Sequence, residues 1–328
     1  MAPPLPLSAE QVQQWDESGA VTVDVPGLAD DLDLLDALQR SMLHHMPWWH
    51  DNAGQPLHHP GRVTNTNAWV DDWPQEDSQP LCDLVQLPFF EEAAKQLLGA
   101  QNVYHCAAAL AVGYPEANSP RKEVFHANTA ANGVGFDQHI DGMYTLEQWE
   151  ATPRRALVSF FVWLAEATPL RGPLMYRPGS HRVLAARNSA TNTDNISRRD
   201  ETRMFPDLTE IPDSGLGPEQ FAEAMPAVGG SGSCTLTTTC LVHGASTNLD
   251  TKPRFSAHIT YAECGFVKGG YDGVFRFAFP RYWQTLHDRC RPERRHIFCR
   301  KEDWADDDNA ESSGQRQRLI PRKGGARL

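Results

Sequence analysis

From about residue 102 onward the chain is cut into short apolar or alternating runs by Pro/Gly turns, and this limits its fold more than any other feature. Val103 to Val112 and Glu123 to Thr129 are short runs, and Ala156 to Ala165 (ALVSFFVWLA) has the composition of a buried strand. Leu174 to Tyr176 is closed by Arg177-Pro178-Gly179-Ser180, while Cys234 to Val242 and Phe255 to Tyr261 alternate as half-buried strands do. Many short strands with such turns predict a β-sandwich or barrel. Helices come first. Ser8 and Gln11 form a capping box for a helix that runs through Gln14 and stops near Gly19. A strand-like AVTVDV follows at 20–25, then a helix over 32–45 with Leu32, Leu35, Leu38 and Met42 on one stripe, and another from Glu91 to Leu98, ended by Gly99. Residues 47–80, rich in Pro, Trp, His and Asp, read as an irregular loop region.

This pattern divides the chain into a helical region at 1–101 packing on a core at 102–265, and an extension at 266–328 with a poorly ordered charged tail from Lys301. The polar stretch 186–227 interrupts the strands and is too long for an ordinary connection, so it reads as a lid insertion. With 328 residues, 40% of them apolar, the chain buries a core without staples. The seven cysteines are irregularly spaced with no CxxC, which excludes a disulfide framework or zinc ribbon and points to buried, reduced thiols. A net charge of −12 argues against nucleic acid and anionic membranes as partners. No secretory signal opens the sequence and no run approaches a membrane span, so a cytoplasmic protein acting on a small molecule is expected.

The chemistry centres on Phe136-Asp137-Gln138-His139-Ile140-Asp141-Gly142. On a strand, residues two apart share a face, so His139 and Asp141 converge. Two histidines and a carboxylate on one face leave coordination positions open, as non-haem Fe(II) oxygen chemistry requires. His243, ending an alternating run before Gly244, is the candidate third ligand. Arg254 follows His243 by eleven residues, and two antiparallel strands joined by a loop would make them neighbours. A buried guanidinium needs an anionic partner, and its planar fork suits a dicarboxylate; Ser256, on the same face, is placed to add a hydrogen bond.

FDQHIDG at 136–142, GPLMYRPGSH at 172–181, LVHGAS at 241–246, PRFSAHITY at 253–261 and the opening LSAEQVQQWDESGAVTV at 7–23 together resemble the phytanoyl-CoA dioxygenase family of iron(II)/2-oxoglutarate enzymes. The resemblance spans roughly residues 7–265 and departs from the family at Gly232-Ser233-Cys234-Thr235-Leu236, where Gly-Asp is more usual. It implies a mainly β fold, a double-stranded β-helix (jelly-roll, cupin-like) core with flanking helices. It implies iron on His139, Asp141 and His243, and 2-oxoglutarate chelating that iron with its distal carboxylate on Arg254 and Ser256. Phe136 would pack beside the cosubstrate, and dioxygen would take the remaining position. His181, within the PGSH block, is expected to shape a turn rather than bind metal. Because Asp141 is present, hydroxylation of an unactivated C–H bond is expected over halogenation, with desaturation, epoxidation, ring formation or acyl-CoA hydroxylation as alternatives.

For the substrate, Gln138, Tyr144, Trp149 and Asn128 are candidate contacts, Trp48, Trp49, Trp69 and Trp73 a candidate aromatic wall, and Arg198, Arg199 and Arg203 candidate lid cations. Two readings from other classes compete: a jelly-roll binding or sensor module that has lost its chemistry, and a zinc hydrolase on a cupin-like barrel. Intact His139, Asp141, His243 and Arg254 oppose the first. The second leaves Arg254 unexplained and lacks a glutamate near His139 to serve as base.

Overall fold

The computed structural model describes residues 5–46, 62–65, 70, 72–115, 140–142, 144–190, 221–246, 248–264 and 280–298. The N-terminal elements follow from local signals. Helix α1 (Ala9–Ser18) carries the reciprocal Ser8/Gln11 capping box and ends at Gly19 with φ +80°, a left-handed cap that glycine adopts without strain. Strand β1 (Ala20–Asp24) follows, then α2 (Leu32–His45), with Leu35, Leu38 and Met42 buried and Asp31 capping its start. Strand β2 (Arg62–Asn65) and helix α3 (Gln75–Val85) lie partly within the stretch expected to be irregular. Pro80 disguises α3 in the sequence, yet Ser78, Leu81, Cys82, Leu84 and Val85 bury one face of it. Helix α4 (Pro88–Leu98) starts three residues before the expected Glu91, with its proline in the first turn where no N–H is needed.

Two antiparallel sheets form the body. Strands β3 (Val103–Gly113), β4 (Leu157–Trp163), β7 (Ser233–Thr238) and β9 (Arg254–Glu263) join β1 and β2 in a six-stranded sheet of order β1-β7-β4-β9-β3-β2. Strands β5 (Leu174–Tyr176), β6 (Met225–Ala227) and β8 (His243–Ala245) form a three-stranded sheet with β5 central. Helix α5 (Leu146–Glu150) precedes β4, α6 (Ser180–Ala190) follows β5, and α7 (Pro280–Arg289) leads into a 3-10 helix at Pro292–Ile297. β1 belongs to the large sheet, so the N-terminal region supplies a strand as well as helices. The interruption read at 186–227 is narrower than expected: its first residues complete α6, and 225–227 pair with β5. The rest of it from 191 to 220, Glu123 to Thr129 and the tail lie outside the described residues.

The two faces of the large sheet differ. Phe255, Ala257, Ile259 and Tyr261 of β9 belong to the main core, where the Tyr261 hydroxyl donates to the Val85 carbonyl (2.9 Å) and Phe160 meets Phe90 edge-on. The alternate residues Arg254, Ser256, His258 and Thr260 face the small sheet, on the side of Trp163, which packs with Leu174, Tyr176 and Leu241. Burying this many apolar side chains at roughly 25 cal/mol per Å² is what holds the layers together. The six cysteines within the described residues are all free thiols. Among the described residues, no helix is long and apolar enough to cross a membrane.

Candidate active site

The candidate site lies between the sheets, where His243 of the small sheet and His258 of the large one both approach Asp141. His243 opens β8 and is 1% exposed; its Nδ1 hydrogen-bonds the Leu241 carbonyl (2.9 Å), directing Nε2 toward Asp141. The Asp141 carboxylate Oδ2 stands 3.4 Å from that Nε2. Two donor atoms, each about 2.1 Å from one divalent ion, lie about 3.0–3.4 Å apart for angles near octahedral or tetrahedral, so the pair has the spacing of co-ligands. Metal-binding histidines commonly have their other ring nitrogen fixed in this way by a carbonyl, which sets the tautomer and the ring orientation. The Asp141 loop is held by the Thr239 carbonyl, which accepts from the Asp141 and Gly142 N–H groups, both at 3.0 Å. By contrast, His45 Nε2 and Asp77 Oδ2, in a surface group with His44, stand 2.7 Å apart, a hydrogen-bond separation.

The expected hairpin between His243 and Arg254 does not form: β8 pairs with β5, and β9 pairs with β3 and β4. The alternating run breaks after Thr238, and a turn over 239–242 carries the chain from the large sheet into the small one. His243 therefore opens a strand instead of ending one, and its ring meets Phe161 of β4 edge-on at 5.6 Å. The PGSH block supports this crossing. Gly179 adopts φ +74° and its N–H donates to the Ser18 carbonyl, while the wholly buried Ser180 hydroxyl accepts from the Val242 N–H at 2.9 Å. His181 is buried in the first turn of α6, with Nε2 against the Asp16 carbonyl at 3.2 Å and its ring edge-on to Trp149. Burial pushes its pKa down to about 4, so it is neutral at physiological pH.

Arg254 and Ser256 are each 4% exposed. Arg254 pairs with Gly113 across the β3–β9 ladder, and a Cβ at 113 would come within 3.3 Å of the Arg254 Nε, so glycine makes room for the guanidinium. Asn248 fixes the edge of this pocket by donating to the carbonyls of Gly113 (2.7 Å) and Lys252 (2.8 Å). Next along β3 stand Ala111, Ala109 and Ala107, paired with Ser256, His258 and Thr260. All three alanines are partly exposed although β3 lies inside the sheet, so the interior opens along this stripe.

Tyr144 and Trp149, expected as substrate contacts, are spent on packing. Each is 2% exposed; their rings stack at 5.2 Å, Trp149 meets Trp15 at 4.9 Å, and the Arg154 guanidinium lies over Trp149 at 4.3 Å. The Tyr144 hydroxyl bonds Thr238 at 2.8 Å, next to the residue that holds the Asp141 loop. Trp73 stacks on His45 with ring centroids 4.5 Å apart. His139, Phe136, Gln138, Asn128, Trp48, Trp49, Trp69, Arg198, Arg199 and Arg203 lie outside the described residues. His258, Gly113 and Asn248 were passed over in the sequence. For His258 the signal was present, since it shares the parity of Arg254 and Ser256 on one alternating strand.

A family model for phytanoyl-CoA dioxygenase (PhyH) matches residues 17–256, and the chain belongs to that family. That family is one of 2-oxoglutarate-dependent non-haem iron dioxygenases, whose members use Fe(II), 2-oxoglutarate and dioxygen. An ectoine dioxygenase of Sphingopyxis alaskensis is 29% identical over 160 residues, 46% of this chain and 47% of that protein, so the match spans about half the relative's length. Among solved structures, the non-heme alpha-ketoglutarate-dependent carbocyclase SnoK from nogalamycin biosynthesis superposes with a TM-score of 0.52 at 18% identity, over 80% of this chain and 87% of that one. The alpha-ketoglutarate-dependent epimerase SnoN from the same biosynthesis gives 0.50 at 17%, over 77% and 82%. At such identities these two structures speak for the fold.

Proposed function

We propose that this chain hydroxylates an unactivated C–H bond of a small metabolite or natural product, releasing succinate and carbon dioxide. The observation that carries this reading is the convergence of Asp141 and His243 at 3.4 Å, beside a face of β9 that presents the buried Arg254 and Ser256. We read the core as a jelly roll, with the two antiparallel sheets as its walls. His139, Asp141 and His243 would hold iron, leaving positions for the cosubstrate and dioxygen. Arg254 would clamp the distal carboxylate of 2-oxoglutarate with its planar fork, Ser256 would add a hydrogen bond, and Phe136 would pack alongside. When bound, iron and 2-oxoglutarate supply dioxygen activation. The chain's own part is to orient these groups and keep them dry: Leu241 fixes the His243 tautomer, Thr239 holds the Asp141 loop, and Gly113 admits the Arg254 fork. Asp141 occupies the place that a halide would need, which supports oxygen insertion over halogenation.

The test is anaerobic. Fe(II) and 2-oxoglutarate added to metal-free protein should give the weak visible charge-transfer band of the chelate, absent in His243→Ala and weakened in Arg254→Ala. Succinate release across a panel of small metabolites would then identify the substrate class. No band at saturating 2-oxoglutarate overturns the reading and brings the binding-module and hydrolase alternatives forward.

A further inference from the structure

Resting on this reading of the site, the geometry points to His258 as a positioning residue for the metal-chelating end of 2-oxoglutarate. His258 stands two residues after Ser256 and four after Arg254, in the row of four polar side chains, closed by Thr260, that β9 presents on its interior face. Within that row His258 is the exposed member: Arg254, Ser256 and Thr260 are each 4% exposed, whereas the His258 side chain is 26% exposed. One of its partners across the ladder is Ala109, whose small side chain adds little bulk beside the imidazole.

The ring is held in place. It stacks on Phe161 at 4.3 Å with planes 12° apart, and Phe161 in turn meets His243 edge-on at 5.6 Å. This stack presents Nε2 to the site, 3.8 Å from Asp141 Oδ2 and 3.5 Å from the Thr260 hydroxyl. The first distance exceeds a hydrogen bond and also exceeds the 3.4 Å between Asp141 and His243, so His258 stands outside the co-ligand spacing. A side chain that close to a ligand oxygen, on the strand that holds the distal carboxylate, faces what completes the coordination. 2-Oxoglutarate is a dianion with a carboxylate at each end. With one end on Arg254, the other reaches the metal beside His258. The imidazole, with its proton on Nε2, donates to that chelating carboxylate and fixes which oxygen binds the metal.

The experiment titrates 2-oxoglutarate anaerobically into Fe(II)-loaded wild type, His258→Phe and His258→Gln, following the charge-transfer band, with Co(II) affinity measured on the same preparations. Phenylalanine keeps the stack on Phe161 and removes the donor; glutamine restores an N–H. Loss of one charge-assisted hydrogen bond should raise the Kd for 2-oxoglutarate about tenfold in His258→Phe and move the band maximum, with most of both recovered in His258→Gln and Co(II) affinity unchanged. An unchanged Kd and band in His258→Phe overturn the inference, including where only the substrate KM moves, which would make His258 a substrate contact. A parallel fall in Co(II) affinity overturns it by making His258 a ligand. A wild type with no band removes the dioxygenase reading itself, and this inference with it.

Discussion

Gly113 offers the sharpest separation of cosubstrate binding from stability. A Cβ built at this position would lie 3.3 Å from the Arg254 Nε, 3.5 Å from a terminal guanidinium nitrogen and 3.6 Å from the Arg254 Cβ. Relaxed contacts between such atoms are about 3.5–4.0 Å, so Gly113→Ala must push the fork by roughly 0.3 Å. The guanidinium has little slack, because Arg254 is 4% exposed and Asn248 ties the Gly113 carbonyl at 2.7 Å. A charge-assisted hydrogen bond contributes about 1.5–3 kcal/mol, and misaligning it should forfeit roughly a third to a half, about 0.5–1.5 kcal/mol. That corresponds to a Kd for 2-oxoglutarate raised roughly two- to tenfold. Stability should move the other way. Gly113 is not among the residues with positive φ, so alanine fits its backbone and reduces unfolded-state entropy, for a gain of about 0.4–1 kcal/mol. Calorimetric titration of 2-oxoglutarate into the metal-loaded protein, paired with thermal unfolding, reads both quantities. Gly113→Val should weaken binding further. If both variants bind 2-oxoglutarate like wild type, Arg254 is not the cosubstrate clamp; if both lose several degrees of Tm, the 113–254 contact is structural.

Two other perturbations reach the site from a distance. Ser180→Ala strands the buried Val242 N–H beside His243, which should cost about 1–3 kcal/mol in urea unfolding and lower metal affinity severalfold; unchanged metal affinity would disconnect the PGSH block from the site. His181 titrates at 6.5 when unfolded and at about 4 in the fold because of burial, so the unfolded chain takes up its proton first on acidification. Stability is full above about pH 6.5 and is lost progressively toward pH 4, by at most about 3 kcal/mol from this group. The burial of His105, held at about 3, acts in the same direction. Urea unfolding at pH 7 and pH 5 should show the loss in wild type and a shallower slope in His181→Gln; equal slopes would refute the assignment.

What the sequence made legible follows the range of the interactions concerned. The capping box at Ser8/Gln11, the stripe of α2 and the strand at Leu174–Tyr176 depend on neighbours a few residues away, and each appears where its local pattern puts it. Helix α3 was hidden because Pro80 is a local breaker, while the burial that sustains the helix comes from packing against α2 and other elements. The same limit separates the site residues. Asp141, His243, Arg254 and Ser256 were legible as candidates from their chemical types, and the structure places His243, Arg254 and Ser256 in buried positions. The sheet in which His243 sits was not legible, since spacing along the chain cannot show that residues 239–242 pass from one sheet to the other. Tyr144 and Trp149 show the converse. An aromatic near a metal motif is read as a wall of the cavity, but the same ring satisfies a core just as well, and only its neighbours decide. Here Trp15, Arg154 and His181 decide for the core. The chemistry proposed for the site rests on residue types, Asp141 on its loop, His243 on β8 and the polar residues on the interior face of β9, whereas its shape is set by contacts between segments far apart in sequence: the crossing pinned by Ser180, the loop held by Thr239, and the room left by Gly113.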